Sequence, residues 1–420
     1  MFAVRTDFRQ PDTRHGRPHW HPPYQRGANQ PFVHDLRSHA PRDDGEARTL
    51  RTLASHMKKA KVLVVDDAML IRRMVTDVIA SDPSIEVVGD AANGRIALQK
   101  IAQLSPDLVT LDVEMPEMNG IQTLKEIRKT HPRLPVIMFS ALTERGASDT
   151  LEALHHGASD YVTKPANTAG LATAQQRIRA DLVPKIKSLC RLGTAPAAPV
   201  ARRDGSASAP PRPFALRPVG PAITADVVAV AVSTGGPAAL ADILSRLPAD
   251  FPAPILLVQH MPQMFTRFLA ERLNAQTSLT VAEASDGQPL RPGTVYVAPG
   301  DFHLTLQKRN GAMVAALDQQ PPLHSHRPSA DVLLKSVADT CGPRGLAVVL
   351  TGMGQDGVLG CEAMTNAGGR VIAQDEATSV VWEMAGLVVG AGLADAVLPL
   401  SAIAGELQRR TERAAGAGRS

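Results

Sequence analysis

Apolar residues along this 420-residue chain fall into two tracts in which short runs alternate with helical periods, separated by stretches that show neither pattern. In the first tract KVLVV, IEVVGDA, DLVTLD, PVIMFS and DYVTK break into polar or glycine turns. Runs of this kind read as buried strands followed by loops. Between them MLIRRMVTDVIAS, GRIALQKIAQL, IQTLKEIRKT, residues 147–156 and LATAQQRIRADL carry helical spacing. Five βα units predict a doubly wound parallel sheet. The second tract resumes with VVAVAV, helix AALADILSRL, strand ILLVQ and helix MFTRFLAERLNAQ. VAEA and TVYVAP are strand-like, and HLTLQK and MVAALD read as a hairpin about Asn310–Gly311. Helix SADVLLKSVADTC, strand AVVL, a helix over 357–367 and strand RVIAQ complete a second α/β domain. Two doubly wound parallel-sheet domains are expected, the second with an antiparallel hairpin.

The unpatterned stretches set the boundaries. Residues 1–57, rich in Pro, Arg, His and Asp, read as a disordered extension in which Met57 is a candidate start. Residues 58–180 form the first domain, 181–222 a linker of Ala, Pro, Gly, Ser and Arg, 223–412 the second domain, and 413–420 a tail. Hydrophobic residues at 44% are enough for two cores, while aromatics at 3% argue against a base-stacking nucleic-acid binder. The net charge of +4 draws on arginines of the extension and linker, so it says little about partners. Cys190, Cys341 and Cys361 show no CxxC spacing, against a disulfide framework or zinc site and in keeping with a reducing compartment. With no long apolar span and no signal-peptide core, the expectation is a soluble cytoplasmic monomer without membrane insertion.

Asp66 and Asp67 follow the first strand and Asp112 ends the third, at the carboxyl ends of strands expected to be neighbours. Three carboxylates at one point repel unless a cation lies among them, and Mg²⁺ suits oxygen ligands beside a phosphate donor. Ser140 offers a hydroxyl at the same edge, and Lys164 a positive charge for a phosphoryl group. A single such aspartate is as well explained as a turn former or cap. Five spaced positions are not. The strings VLVVDD, PDLVTLDVEMPEMNG, MFSALT and DYVTKP resemble a response-regulator receiver domain. The resemblance implies that Asp112 accepts a phosphoryl group from a histidine kinase. It further implies that Asp67, Asp112 and the backbone carbonyl of Glu114 hold Mg²⁺ directly, with Asp66 acting through water. Ser140 and Tyr161, with Lys164, would report phosphorylation.

In the second tract VVAVAV leads into Ser233, ILLVQ into His260, and LAVVLTGMGQ into Asp356. Ligands of open parallel sheets gather beyond the carboxyl ends of strands, so the three can converge. A serine needs a base such as imidazole, and the imidazole a carboxylate that fixes its tautomer. Free N–H groups of the STGGP loop, with Met353, could stabilise an oxyanion. Residue types alone leave other readings open: a helix cap at Ser233 or Thr234, a phosphate cradle at Gly235–Gly236, a turn at Asp356. Neither GxGxxG, GxxxxGK[ST] nor GxSxG occurs at this loop.

STGGP, VQHMP, YVAPGDFHL, HRPSADVLLKSVA, TGMGQDG and AQDEATSVVW resemble the bacterial chemotaxis protein-glutamate methylesterases, receiver included and in the same order. The resemblance implies a carboxylic ester hydrolase that demethylates glutamates of chemoreceptors and deamidates receptor glutamines, with no cofactor beyond the receiver's Mg²⁺. Ser233 would be the nucleophile, His260 the general base and then acid, Asp356 the orienting carboxylate and Met353 N–H an oxyanion donor. The unphosphorylated receiver would cover the Ser233 cleft. One departure stands out: Glu383-Met384-Ala385 occupies a position where the family commonly reads Gly-Met-Pro. A receiver-linked DNA-binding regulator would need a recognition helix that the second half does not display. A non-catalytic adaptor would leave Ser, His and Asp without a task.

Overall fold

Strands β1 (Ala60–Val65), β3 (Leu108–Asp112) and β4 (Val136–Ser140) are buried almost throughout, Lys61 being the one exposed position among them. Near-continuous apolar strands are what a parallel sheet covered by helices on both faces requires. The structure, a computed structural model, describes residues 59–164, 170–192 and 224–412. The expectations for 1–57, for most of 181–222 and for 413–420 lie outside the described residues. With β2 (Ile85–Ala91) and β5 (Asp160–Thr163), the first sheet has the order β2-β1-β3-β4-β5, all parallel. Helices α1 (Met69–Ala80), α2 (Gly94–Leu104), α3 (Gly120–Thr130), α4 (Glu144–His155) and α5 (Leu171–Leu189) connect or follow the strands. Strand order reverses between β1 and β3, which opens a crevice at their carboxyl ends. Asp66, Asp67 and Asp112 stand there.

The linker was expected to begin at residue 181, but α5 runs on to Leu189 through Pro184. Ile178, Leu182 and Ile186 continue one apolar stripe, which is buried with Met74, Val75 and Ile79 of α1. Burial of that stripe offsets the backbone hydrogen bond that a mid-helix proline removes. Lys187 Nζ also lies 2.6 Å from the Asp82 carboxylate. Burial opposes ionisation of Asp82, yet the Lys187 and Ser84 contacts prevail and hold it at about 2. That is below the roughly 3.9 of an unfolded aspartate, so the contact stabilises the fold above about pH 4 and fades as pH falls toward 2. For a partly exposed pair the gain is about 0.5–1 kcal/mol. Asp82→Asn should lower the unfolding free energy by that amount at neutral pH, with the deficit shrinking in acid. An equal deficit at both pH values in denaturant titrations would contradict this.

The second sheet contains β6 (Val227–Val232), β7 (Ile255–Gln259), β8 (Thr280–Glu283), β9 (Thr294–Val297), β12 (Gly345–Val349), β13 (Arg370–Gln374) and β14 (Ala396–Leu398). Its order is β14-β13-β12-β6-β7-β9-β8, parallel throughout. The expected hairpin is a separate antiparallel ribbon, β10 (His303–Arg309) with β11 (Ala312–Asp318), turned at Asn310 and Gly311 with both φ positive. Around the sheet lie α6 (Gly236–Leu244), α7 (Gln263–Gln276), α8 (Ala330–Cys341), α9 (Val358–Asn366), α10 (Glu383–Gly390) and α11 (Leu400–Thr411). Order reverses between β6 and β12, again placing a crevice at strand ends.

The two sheets do not stand apart. Leu151 of α4 and Leu240 and Leu269 of α6 and α7 belong to one continuous buried cluster. Tyr161 of β5 stacks on Phe265 of α7, centroids 4.6 Å apart and planes 11° from parallel. Arg267 donates to Glu144 at 2.8 Å on the rim. None of the three cysteines is in a disulfide. Among the described residues no helix is long and apolar enough to cross a membrane.

Candidate active site

At the first crevice, carboxylate oxygens of Asp66, Asp67 and Asp112 lie within 4.8 Å of one another. Lys164 Nζ reaches Asp66 Oδ2 and Asp112 Oδ2, each at 2.8 Å. Burial, and then the charge of Asp66 beside it, push Asp112 up to about 7 against the pull of Lys164. One ammonium thus leaves the cluster short of positive charge, and hard oxygen donors at this spacing fit a dication such as Mg²⁺. Glu114 is adjacent, its amide donating to Asp112 Oδ1 at 3.4 Å. Ser140 is fully buried and donates to Gly146 O at 3.0 Å. The structure therefore gathers Asp66, Asp67, Asp112, Glu114, Ser140 and Lys164 at one sheet edge. Tyr161 instead faces outward, onto Phe265.

The second crevice forms where β6, β7 and β12 end. After β6 the chain must turn at once into α6, and Gly235 at φ 80° takes a conformation that side chains disfavour. This tight loop holds Ser233, whose N–H donates to Thr351 O at 3.1 Å and whose carbonyl accepts from Gln259 Nε2 at 3.0 Å. Gly352 packs against it: a Cβ there would come within 2.9 Å of Ser233 Cβ and 2.2 Å of Met384 Sδ. Gly352 donates its own N–H to Val381 O at 2.9 Å, whereas no acceptor among the described residues takes the N–H of Met353 or Thr234. Two amides beside the serine are thereby left for an oxyanion. Glu383 is exposed at the first turn of α10, where a carboxylate suits the helix N-terminus, while Ala385 is buried where the family commonly has proline.

His260 follows β7 and hydrogen-bonds Asp356 Oδ2 through Nε2 at 2.8 Å. Asp356 also accepts from Ala330 N at 2.7 Å, Asp331 N at 3.0 Å and Ser329 Oγ at 2.7 Å. It sits at the N-terminus of α8, where amides and dipole favour an anion. Burial works against the charge, but the His260 bond and these amides outweigh it, so the carboxyl lies well below the usual range. His260 Nδ1 is buried without a hydrogen-bond partner. Ser233, His260 and Met353 line one cavity of 440 Å³. No hydrogen bond joins Ser233 to His260 among the described residues, a looseness common before substrate binds.

Sequence reasoning missed four residues. His326 lines the cavity and stacks on His260. Asp160 Oδ2 accepts from Thr234 Oγ1 at 2.5 Å, a buried bond between the receiver-like domain and the residue after Ser233. Lys185 of α5 approaches Asp160 at 3.6 Å and donates to Tyr161 O at 2.6 Å, and with Tyr161 it lines the same cavity. Ser329, the fourth, holds Asp356 through its hydroxyl. Nothing local marks these residues, since each acquires a partner only across the fold. Oxygen and nitrogen atoms of His260, His326 and Asp356 also lie within 4.8 Å of one another. Stacked rings, however, direct their in-plane lone pairs along parallel lines rather than at a common ion, so the group favours imidazole chemistry over metal binding.

Comparison with known proteins places the chain in context. The CheB methylesterase family matches residues 228–407, and the response regulator receiver domain matches 62–176. A protein-glutamate methylesterase/protein-glutamine glutaminase of Nocardioides sp. is 49% identical over 360 residues, covering 85% of this chain and 97% of the relative. The protein of the same name from Trichodesmium erythraeum is 45% identical over 361 residues, covering 84% and 99%. Among solved structures, the Thermotoga maritima CheB methylesterase catalytic domain is 44% identical, with a TM-score of 0.44 over 44% of this chain and 99% of that one.

Proposed function

The chain belongs to the CheB methylesterase family, its receiver domain included, and on that premise we propose that it hydrolyses glutamate methyl esters of chemoreceptors under the control of Asp112 phosphorylation. The same site would deamidate receptor glutamines, a reading supported by the relatives' name protein-glutamine glutaminase. The observation that carries this reading is the cavity shared by Ser233, His260 and Met353, with His260 Nε2 committed to Asp356 and Nδ1 free to take a proton.

Ser233 Oγ attacks the ester carbonyl as its proton passes to His260 Nδ1, and anionic Asp356 stabilises the imidazolium through Nε2. The tetrahedral oxyanion meets the amides of Met353 and Thr234. Collapse expels methanol, which takes the proton back from His260. Water then attacks the acyl-enzyme, again deprotonated by His260, and the glutamate carboxylate leaves with Ser233 restored. A glutamine follows the same course with ammonia as the leaving group.

In the receiver, a histidine kinase supplies the phosphoryl group to Asp112. Asp67, Asp112 and the Glu114 carbonyl would hold Mg²⁺, with Asp66 acting through water, and the ion would neutralise phosphoryl oxygens during transfer. Ser140 and Lys164 would then bind the phosphoryl oxygens and, with Tyr161, report the change. In the form described here Tyr161, Asp181 and Lys185 wall the cavity. These receiver residues stand in the way of a receptor helix about 10–12 Å across, and phosphorylation would shift the population toward an open form.

Methanol release from methylated receptor membranes tests both halves. The rate should rise with a small-molecule phosphodonor and Mg²⁺, by tenfold for each about 1.4 kcal/mol of shifted equilibrium. Asp112→Asn should retain the basal rate and lose the response. No methanol from the parent, or an Asp112→Asn protein that still responds, would reject the reading.

A further inference from the structure

Among the described residues the His260 imidazole is held by one hydrogen bond, and that bond has poor leverage. Nε2 lies near the axis about which the imidazole turns, the Cβ–Cγ bond, whereas Nδ1 lies off it. The contact with Asp356 fixes Nε2 and the tautomer but leaves the swing of Nδ1 weakly restrained. His326 supplies what is missing. Its ring lies on the face of His260, centroids 3.9 Å apart and planes 17° from parallel. The loop bearing it is tied by reciprocal backbone bonds between Leu323 and His326, with His324 and Ser325 both at positive φ. Two non-glycine residues in that region mark a backbone held against its preference, as occurs where a side chain must be aimed. Arg327 then anchors the loop to the carbonyls of Gln319 and Gln320, each at 3.0 Å.

We propose that His326 is a positioning residue that sets the plane of His260 so that Nδ1 faces Ser233. The inference rests on the reading of His260 as the general base. His326 Nδ1 is buried without a hydrogen-bond partner. Its contact with His260 is made by the ring face. Burial, and then the charge of His260, hold His326 down at about 4. It therefore stays neutral at working pH and presents a π face to the imidazolium that forms on His260, an attractive arrangement. A permanently charged group in its place would oppose that intermediate.

The test measures kcat and KM of the full-length protein, phosphorylated with a small phosphodonor, on methylated receptor membranes. It adds the rate at which Ser233 is modified by a sulfonyl fluoride, a reagent that needs no receptor docking. His326→Ala should lower kcat and the modification rate roughly 10- to 100-fold, with KM nearly unchanged, because a small misplacement of the base carries a cost of that size. His326→Phe, which restores a stacking face without a ring nitrogen, should recover most of both rates. Thermal unfolding and phosphorylation of Asp112 check that each variant is folded. The proposal is overturned by a His326→Ala kcat within about threefold of the parent, by a loss confined to KM, or by a Phe variant as slow as Ala. His260→Ala separates the two readings. If it is inactive while His326→Ala is normal, only the positioning role fails. If His260→Ala keeps the parent rate, the base reading fails and the proposal with it.

Discussion

Ser233→Ala should release methanol roughly a millionfold more slowly than the parent while unfolding at the same temperature. The two halves of that expectation have separate causes. The Ser233 backbone is bonded to Thr351 and Gln259, but no hydrogen bond of its hydroxyl holds the fold together among the described residues. Its loss is therefore neutral for stability and complete for nucleophilic attack. Asp356→Asn makes the contrasting case, with a fall on the order of 10⁴ in kcat and a loss of stability as well. An amide oxygen can accept only one side's pair of the four bonds, from Ala330, Asp331, Ser329 and His260, that the carboxylate accepts, and the amide supplies no charge for the imidazolium. Buried donors without acceptors add about 1–3 kcal/mol of destabilisation. Methanol release and thermal unfolding on the same preparations read both quantities. A Ser233→Ala protein within about tenfold of the parent would reject Ser233 as the nucleophile.

Asp160→Ala should make the unphosphorylated protein roughly 10- to 100-fold faster and leave little for a phosphodonor to add. Asp160 is buried between the domains and accepts from Thr234 next to the nucleophile. A hydrogen bond to a charged group contributes about 1.5–3 kcal/mol, and each 1.4 kcal/mol is tenfold in the balance of closed and open forms. Lys185 keeps Asp181 at 2.9 Å and the Tyr161 carbonyl as partners, so the substitution does not strand a buried cation. Tyr161 is the very next residue, and its stacking on Phe265 ties the switch to the same latch. Basal methanol release without phosphodonor is the measurement. A parent-like basal rate with full activation retained would show that the latch contributes nothing to closure.

Much of the architecture was legible from local pattern. Apolar runs such as VVAVAV and DLVTL read as strands buried on both faces, and helical periods between them favour parallel pairing, as the structure has it. The candidate site was legible for a related reason: Asp112, Ser233, His260 and Asp356 stand at or just beyond strand ends, where a parallel sheet must present its chemistry. The helix α5 was cut short because Pro184 and the following composition masked the stripe Ile178–Leu182–Ile186. A proline signals a break locally, and only burial against α1 overrides it. VAEA and TVYVAP are separated by a proline–glycine turn, yet they pair in parallel because both must extend the same sheet.

By itself, then, the sequence determined two parallel sheets, with the acidic residues of the first and Ser233, His260 and Asp356 of the second set at or beyond strand ends, since each depends on residue type and on short-range period. Tertiary structure alone decided what surrounds them. It placed the N-terminus of α8 on Asp356, laid His326 against His260, and joined Asp160 to Thr234 across 74 positions of chain. Those contacts have no local signal because their partners are set by how the helices and sheets pack.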